Sequence, residues 1–437
     1  MTSVITSVPE TLYGRLHMRS LFLAPTLPDE AGNGLAMRMG VFLEALSGLG
    51  ELDVILLPMF GTAEPESALC RRLGVRPRIV PVLGRAETHF SLVAGLTDSQ
   101  TRLEAFIRYG KPSLSAFLSV PVLQGIRELA GGQGLDLIHL ARSYLLPATD
   151  IWPAGQKPTV SVDLDEDDVE THRRIALLHA HRGNDFAARW LEAEAEAFDR
   201  LIGKWLRRAD LSFIATERER ETVSDRSRIR PLVAENTIAI PPAVERKPSE
   251  HNLLFVGGFG YFPNLDAAYW LVETVLPQLQ ERCGSAVSLT LVGRNPPRRL
   301  IALAEQSGAE VLQHVSDLAP IYARASIALV PIRAGGGSRI KLLEAAAHQV
   351  PVVATSAGAE NSGLRDGSEI WIADTAEAIV EACLTIWMAP EEAERRAAAA
   401  REMVASRHSR AAMISELRNH FSSKLSDAGT EENSRES

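Results

Sequence analysis

Two doubly wound α/β sheets in tandem are the fold this chain predicts. Short apolar runs alternate with helix-length amphipathic segments, the pattern of a parallel sheet with helices on both faces. A proline-rich joint at 240–248 interrupts the alternation, which then starts again. At 437 residues the chain is too long for one ordinary core, so the restart reads as a second domain.

The first sheet opens with the run 21–24, followed by a polar loop that carries Gly32 and Gly34. A helical pattern covers 35–46, and a second strand 52–57. Further strands at 78–83, 135–140 and 159–162 are separated by helices at 101–108 and 114–129. A long helix spans 186–208, where Trp190, Glu194, Phe198, Leu201, Ile202 and Trp205 recur at helical spacing as a core-facing stripe. The run 211–215 reads as another strand. Beyond the joint, strands at 252–256, 288–292, 326–330 and 351–354 alternate with helices at 265–280, 297–306, 317–324 and 338–348. A final helix at 409–421 is expected to cross back to the first domain. The expected organisation is therefore an N-terminal domain at 18–240, a C-terminal domain at 249–405 and a returning helix within 406–423. Residues 1–17 and 424–437 are expected to be flexible tails, the latter polar from Ser426 with no apolar face.

Composition narrows the function. Hydrophobic residues at 46% with 23% charged indicate a globular protein rather than a disordered one. A formal charge of −9 argues against nucleic acid as the main partner, since phosphate binding needs clustered cations. The three cysteines, Cys70, Cys283 and Cys383, are too scattered for a disulfide frame or a metal site and fit a reducing compartment. No apolar run reaches membrane-span length, and the first 18 residues lack the apolar middle of a signal peptide. The expectation is a cytoplasmic protein, with peripheral contact at the inner face of a membrane left open.

The richest segment is 335–363. Gly335, Gly336 and Gly337 lead into a helix start capped by Ser338, with Arg339, Lys341 and Glu344 inside the helix and a buried-looking strand after it. Such a loop aims free backbone N–H groups and a positive helix end at a diphosphate. Glu344, further along the helix, suits sugar hydroxyls, so a nucleotide-sugar fits better than a bare phosphate. Arg294 follows the end of a strand and is a further candidate cation. The acidic run Asp163, Asp165, Glu166, Asp167, Asp168 and Glu170 contains an Asp-x-Asp pair of the kind that holds Mg²⁺ or Mn²⁺. Acidic patterns this short are common, so a solvated loop or helix start is expected there and no metal. His139 ends a strand read as facing the cleft, where acceptor contact and a structural histidine are both open readings; His172, His179 and His181 show no metal-ligand spacing. The glycines at 257, 258 and 260 lack the full G-x-G-x-x-G run, and Pro263 follows where a helix should begin, which sets a dehydrogenase aside.

The segments 255–268, 291–296, 314–318 and 335–363, in that order and spacing, resemble the nucleotide-binding domain of GT-B glycosyltransferases, in particular the retaining family 4 group (glycosyl transferases group 1). The resemblance is looser in the first half, where Gly32, Gly34 and Arg38, the strand 136–139 and the segment 162–165 carry it. It implies transfer of a sugar from a nucleotide diphosphate-sugar to a sugar, lipid-linked or small-molecule acceptor, in bacterial surface polysaccharide or glycoconjugate synthesis, with configuration retained and without cofactor or metal. By the same resemblance Gly257, Gly258, Arg294, Val315, Gly336, Gly337, Ser338, Ile340 and Glu344 hold the donor. Asp163, Arg339 and Lys341 serve the chemistry, and Gly32, Gly34, Arg38 and His139 lie on the acceptor side. Retention by a front-face route, with a phosphate oxygen taking the acceptor proton, requires no protein nucleophile. Two departures stand out: Gly336 replaces the first of the family's two glutamates, eight positions before Glu344, and Gly258 and Asn264 fall near the places of an arginine and a lysine. A nucleotide-sugar epimerase and a non-catalytic nucleotide-sugar-binding module remain the alternatives.

Overall fold

The computed structural model describes residues 18–435, apart from 33, 61–65, 132–133, 153–156, 243–245, 285, 316 and 338; side chains are described up to 426. The first sheet has seven parallel strands in the order β3-β2-β1-β4-β5-β6-β7. They are β1 (Met18–Ala24), β2 (Gly50–Leu56), β3 (Arg78–Ile79), β4 (Leu137–Ala141), β5 (Thr159–Asp163), β6 (Leu211–Ile214) and β7 (Leu232–Val233). The second has six, β10-β9-β8-β11-β12-β13. These are β8 (Asn252–Val256), β9 (Ser288–Val292), β10 (Glu310–Leu312), β11 (Ile327–Val330), β12 (Val352–Ala354) and β13 (Trp371–Ile372).

Both sheets reverse strand order beside their first strand, between β1 and β4 and between β8 and β11. Ligands of open α/β sheets bind beyond the carboxyl ends at that switch point. Strand β1 shows why its sequence is continuously apolar: Leu21 and Leu23 enter the core on one face, Phe22 and Ala24 the core on the other. A parallel strand buried on both faces needs apolar residues at every position.

Several elements differ from expectation for local reasons. Strand β3 stops at Ile79 because Pro81 has no N–H for the ladder. The helix expected at 114–129 is a short turn, Ser113–Phe117, then a helix, Val120–Ala130, that starts with Pro121 in its first turn. The acidic run enters a helix, Asp168–His181, the helix start that is one of the two readings of this run, N-capped by Asp167 through bonds from the amides of Val169 (3.1 Å) and Glu170 (3.4 Å).

Five helices matter below: α1 (Gly34–Ser47), α2 (Asp168–His181), α3 (Glu217–Ser227), α4 (Ile340–Ala347) and α5 (Arg410–Arg435). Helix α5 returns to the first domain, burying Ile414, Leu417 and Phe421 in the core that α1 shares with the first sheet. It continues to Arg435, so the unstructured tail expected from Ser426 is replaced by helix. Where the chain crosses between domains the two connections run side by side. The Ile238 amide donates to the His408 carbonyl (3.2 Å), and the His408 ring lies against the Asn236 carbonyl (2.8 Å). Met37 of α1 reaches into the core of the second domain. No helix among the described residues is long and apolar enough to cross a membrane.

Candidate active site at the seam between the two sheets

Strand β11 ends at Val330 and the chain runs on to the glycine loop. Gly335 (φ +116°) and Gly337 (φ +68°) occupy backbone conformations that disfavour any side chain. Arg339 is buried and folds back onto this loop, donating to the carbonyls of Gly335 (3.0 Å), Gly336 (2.8 Å) and Ala357 (2.9 Å). The expectation that its guanidinium faces a diphosphate is corrected accordingly. Three carbonyls already take its donors, and its place is that of a brace for the loop. Ser338 lies outside the described residues. Ile340 opens α4, whose first amides have no intrahelical acceptor.

Lys341 and Glu344, three residues apart on α4, share a face. Lys341 is half-buried, and its ammonium makes no hydrogen bond among the described residues. Burial, and then the Arg339 charge, pull it down to about 7, with Glu344 opposing. Glu344 is half-buried and accepts a bond from the Tyr322 hydroxyl (3.1 Å). Burial pushes its carboxyl upward against the Tyr322 bond and the Lys341 charge. Tyr322 is itself stacked on His348, with ring centroids 4.5 Å apart. Neither Tyr322 nor His348 carried a sequence signal, since both read as ordinary helix residues.

The other donor-side residues line the same rim, beyond the carboxyl ends of β8, β9 and β10. Gly257 and Gly293 pack backbone to backbone: a Cβ on Gly293 would stand 2.0 Å from the Gly257 oxygen. Gly258 is exposed and its carbonyl accepts from Asn264 (2.9 Å), whose own side-chain oxygen is buried without a partner. Arg294 is exposed at the end of β9, and Val315 is half-buried after β10.

On the first domain, Arg38 of α1 is buried and spans Asp163 with two 2.7 Å bonds, then reaches the Ala234 carbonyl (2.8 Å) and Asn236 (3.1 Å). Burial works against its charge, but Asp163 and Asp165 together hold the guanidinium above its ordinary value. Arg38 and Asp163 thus form a closed ion pair, without the free groups expected of acceptor and donor contacts. His139 is corrected more fully. It is completely buried between Phe22 (4.9 Å) and Phe42 (4.8 Å), with Nδ1 on the Ser161 hydroxyl (3.0 Å) and Nε2 unpartnered. Burial lowers it to about 4, so the ring is neutral. Strand alternation explains this: His139 falls on the face of β4 that Leu137 and Ala141 bury.

The acidic run is a helix start, one of its two readings, but it is buried or half-buried rather than solvated. Arg142, at φ +135° just past β4, gathers it, donating to Asp165 (2.9 Å), Glu166 (3.1 Å) and Asp168 (2.6 Å). Burial lifts the Asp165 carboxyl to about 7 despite Arg38 and Arg142. Both carboxylates of the Asp-x-Asp pair therefore face guanidinium groups. Sequence reading missed Arg142 because it stands alone after an apolar strand.

The two domains meet at the glycine loop. The Gly337 amide donates to the Glu219 carboxylate of α3 (2.7 Å), and Arg174 of α2 donates to the Gly335 carbonyl (3.3 Å) and to Glu360 (2.6 Å). A Cβ on Gly34 would lie 2.7 Å from the Ile340 Cδ1, so the starts of α1 and α4 touch. Gly32 itself has φ +107° and open space around it. Further along the seam, a groove of about 610 Å³ runs between Arg174, Leu178, Arg182, Trp270, Glu273 and Arg333.

Two doubly wound sheets whose carboxyl edges meet at one seam, with a glycine loop feeding a helix on one side of it, define the GT-B architecture of glycosyltransferases. Residues 250–388 match the model of the family described as glycosyl transferases group 1. No curated protein matches the chain. Among solved structures the chain is similar to a mutant of S. aureus TarM bound to fondaparinux, alpha-GlcNAc-glycerol and UDP, at 10% identity and TM-score 0.64, covering 92% of this chain and 100% of that one. It is also similar to Anabaena HepE with UDP and glucose, at 14% identity and TM-score 0.61, covering 93% and 100%. Sucrose-phosphate synthase from Thermosynechococcus elongatus follows at 15% identity and TM-score 0.62, covering 94% and 100%. At such identities these likenesses establish the fold.

Proposed function

We propose that this protein is a retaining glycosyltransferase that moves a sugar from a nucleotide diphosphate-sugar to an acceptor hydroxyl. The observation that carries this is the glycine loop opening into α4, with Lys341 and Glu344 on one helix face, at the switch point of the domain matched to glycosyl transferases group 1. In the reaction, the bond from the anomeric carbon to the diphosphate breaks and the leaving group keeps the electron pair. The acceptor oxygen bonds to that carbon, and a phosphate oxygen takes the acceptor proton. Negative charge therefore grows on the diphosphate in the transition state. The free amides at the start of α4 and the ammonium of Lys341 stabilise it there more than in the ground state. Glu344, oriented by Tyr322, is assigned to the ribose hydroxyls.

Uridine is the proposed base, since TarM, HepE and the pneumococcal O-GlcNAc transferase GtfA were each solved with UDP. The proposed acceptor is a polysaccharide or glycoconjugate intermediate handled in the cytoplasm. The test is nucleotide release from UDP-, GDP- and ADP-sugars, with the anomeric configuration of the product read by NMR. Glu344→Ala should weaken UDP binding about tenfold or more, the scale of hydrogen bonds to a charged group, with the melting temperature nearly unchanged. Full UDP affinity in that variant would remove Glu344 from the donor site. Binding without turnover across varied acceptors would favour a binding module.

A further inference from the structure

Thr216 and Glu219 spell the start of a capping box for α3, Thr-x-x-Glu. Half of the box is made: the Thr216 hydroxyl accepts from the Glu219 amide (3.2 Å). The carboxylate does not return to the Thr216 amide. One oxygen accepts a hydrogen bond from the Thr216 hydroxyl (2.7 Å), and the other accepts one across the seam from the Gly337 amide (2.7 Å). The same patch is covered from above. A Cβ on Gly336 would stand 2.0 Å from the Thr171 hydroxyl oxygen, 2.8 Å from a Glu166 oxygen and 3.1 Å from Glu219. A carboxylate of the first domain thus occupies an amide of the glycine loop, at a residue that the family resemblance assigns to the donor.

We infer that Glu219 is a resident anion in the phosphate subsite, holding the Gly337 amide until a nucleoside diphosphate binds and displaces it. The inference rests on the proposed donor site. One N–H cannot serve both anions, and two anions at such range repel. Once displaced from Gly337, the carboxylate keeps partners in its own domain, the Thr216 hydroxyl (2.7 Å) and the Asp167 amide (3.5 Å). Glu219 therefore sets the affinity for diphosphates selectively. A nucleoside monophosphate, whose phosphate does not extend to the loop, escapes the competition.

The experiment is calorimetric titration of UDP and UMP into the full chain, its Glu219→Ala variant and its Glu219→Gln variant. Glu219→Ala should tighten UDP about tenfold, the scale of one hydrogen bond to a charged group, and change UMP affinity less than about twofold. Glu219→Gln keeps the shape and an acceptor oxygen but no charge, so it should shift UDP the same way by a smaller factor. It carries the test if the alanine variant does not fold. Equal or weaker UDP binding in the folded variants, with the wild type binding UDP, overturns the resident anion and leaves the donor site standing. UDP binding to a variant but not to the wild type supports both. Failure of UDP to bind any of the three overturns both.

Discussion

Lys341 shows how one side chain carries a pH signature of the proposed site. Burial and the Arg339 charge lower its ammonium to about 7. A bound diphosphate opposes both effects and raises it again. Below about 7 the lysine is already charged, so UDP binding gains nothing from further acidification through this group. Above it, binding must take up a proton, and affinity falls by up to about tenfold per pH unit until the raised value in the complex is reached. UDP is fully ionised in that range, its last phosphate proton leaving near about 6. Calorimetry at pH 8 in buffers of different ionisation enthalpy should register the uptake. Lys341→Arg should abolish the uptake and keep affinity, whereas Lys341→Ala should lose both. Proton uptake that persists in either variant would assign the titration elsewhere.

Between elements, the glycine loop lies close against α2. Gly336 stands where the family resemblance places a glutamate, and the space for any side chain there is filled by Thr171, Glu166 and Glu219. Gly336→Ala must therefore part the seam or displace the Thr171 hydroxyl from its 2.9 Å bond to Glu166. The expected result is a stability loss of about 1–3 kcal/mol from overpacking. Thr171→Ala removes the atom in the way, so the double variant should recover part of that loss. Simple additivity of the two would show that the contact is not the cause. The sequence made the loop, α4 and its Lys341–Glu344 face legible, because glycine conformation and helical spacing are local properties. The partners of Arg38, Asp163 and Arg339 were not legible. Each is spent on an ion pair or carbonyl set by tertiary packing, and a charge read alone cannot show whether it is paired. His139 misled for a related reason: a strand end was read as facing the cleft, although residue parity on β4 places it in the core. Edge strands β7 and β13, two residues each, are too short to leave any periodic signal.

At the scale of the whole molecule, the chain closes on itself. Helix α5 begins after the second domain yet completes the core of the first, where Phe421 meets His139 (6.0 Å) and Phe213 (5.7 Å) edge-on. Arg410 extends the tie, pairing with Glu44 of α1 (2.8 Å). Ile414, Leu417 and Phe421 each contribute about 1.5–3 kcal/mol by burial, a sum comparable to the whole stability of a typical domain. The first domain is therefore not expected to fold without α5, which follows the second domain in the chain. Phe421→Ala leaves a cavity under the first sheet and should cost about 3–5 kcal/mol, lowering the melting temperature. The second-domain core does not include Phe421. If the first domain depends on α5 as argued, hydrogen exchange in the variant should rise first in α1, β1 and β4, while the strands β8 and β11 keep their protection. Uniform loss of protection across both sheets would instead mean that the two domains unfold as one cooperative body.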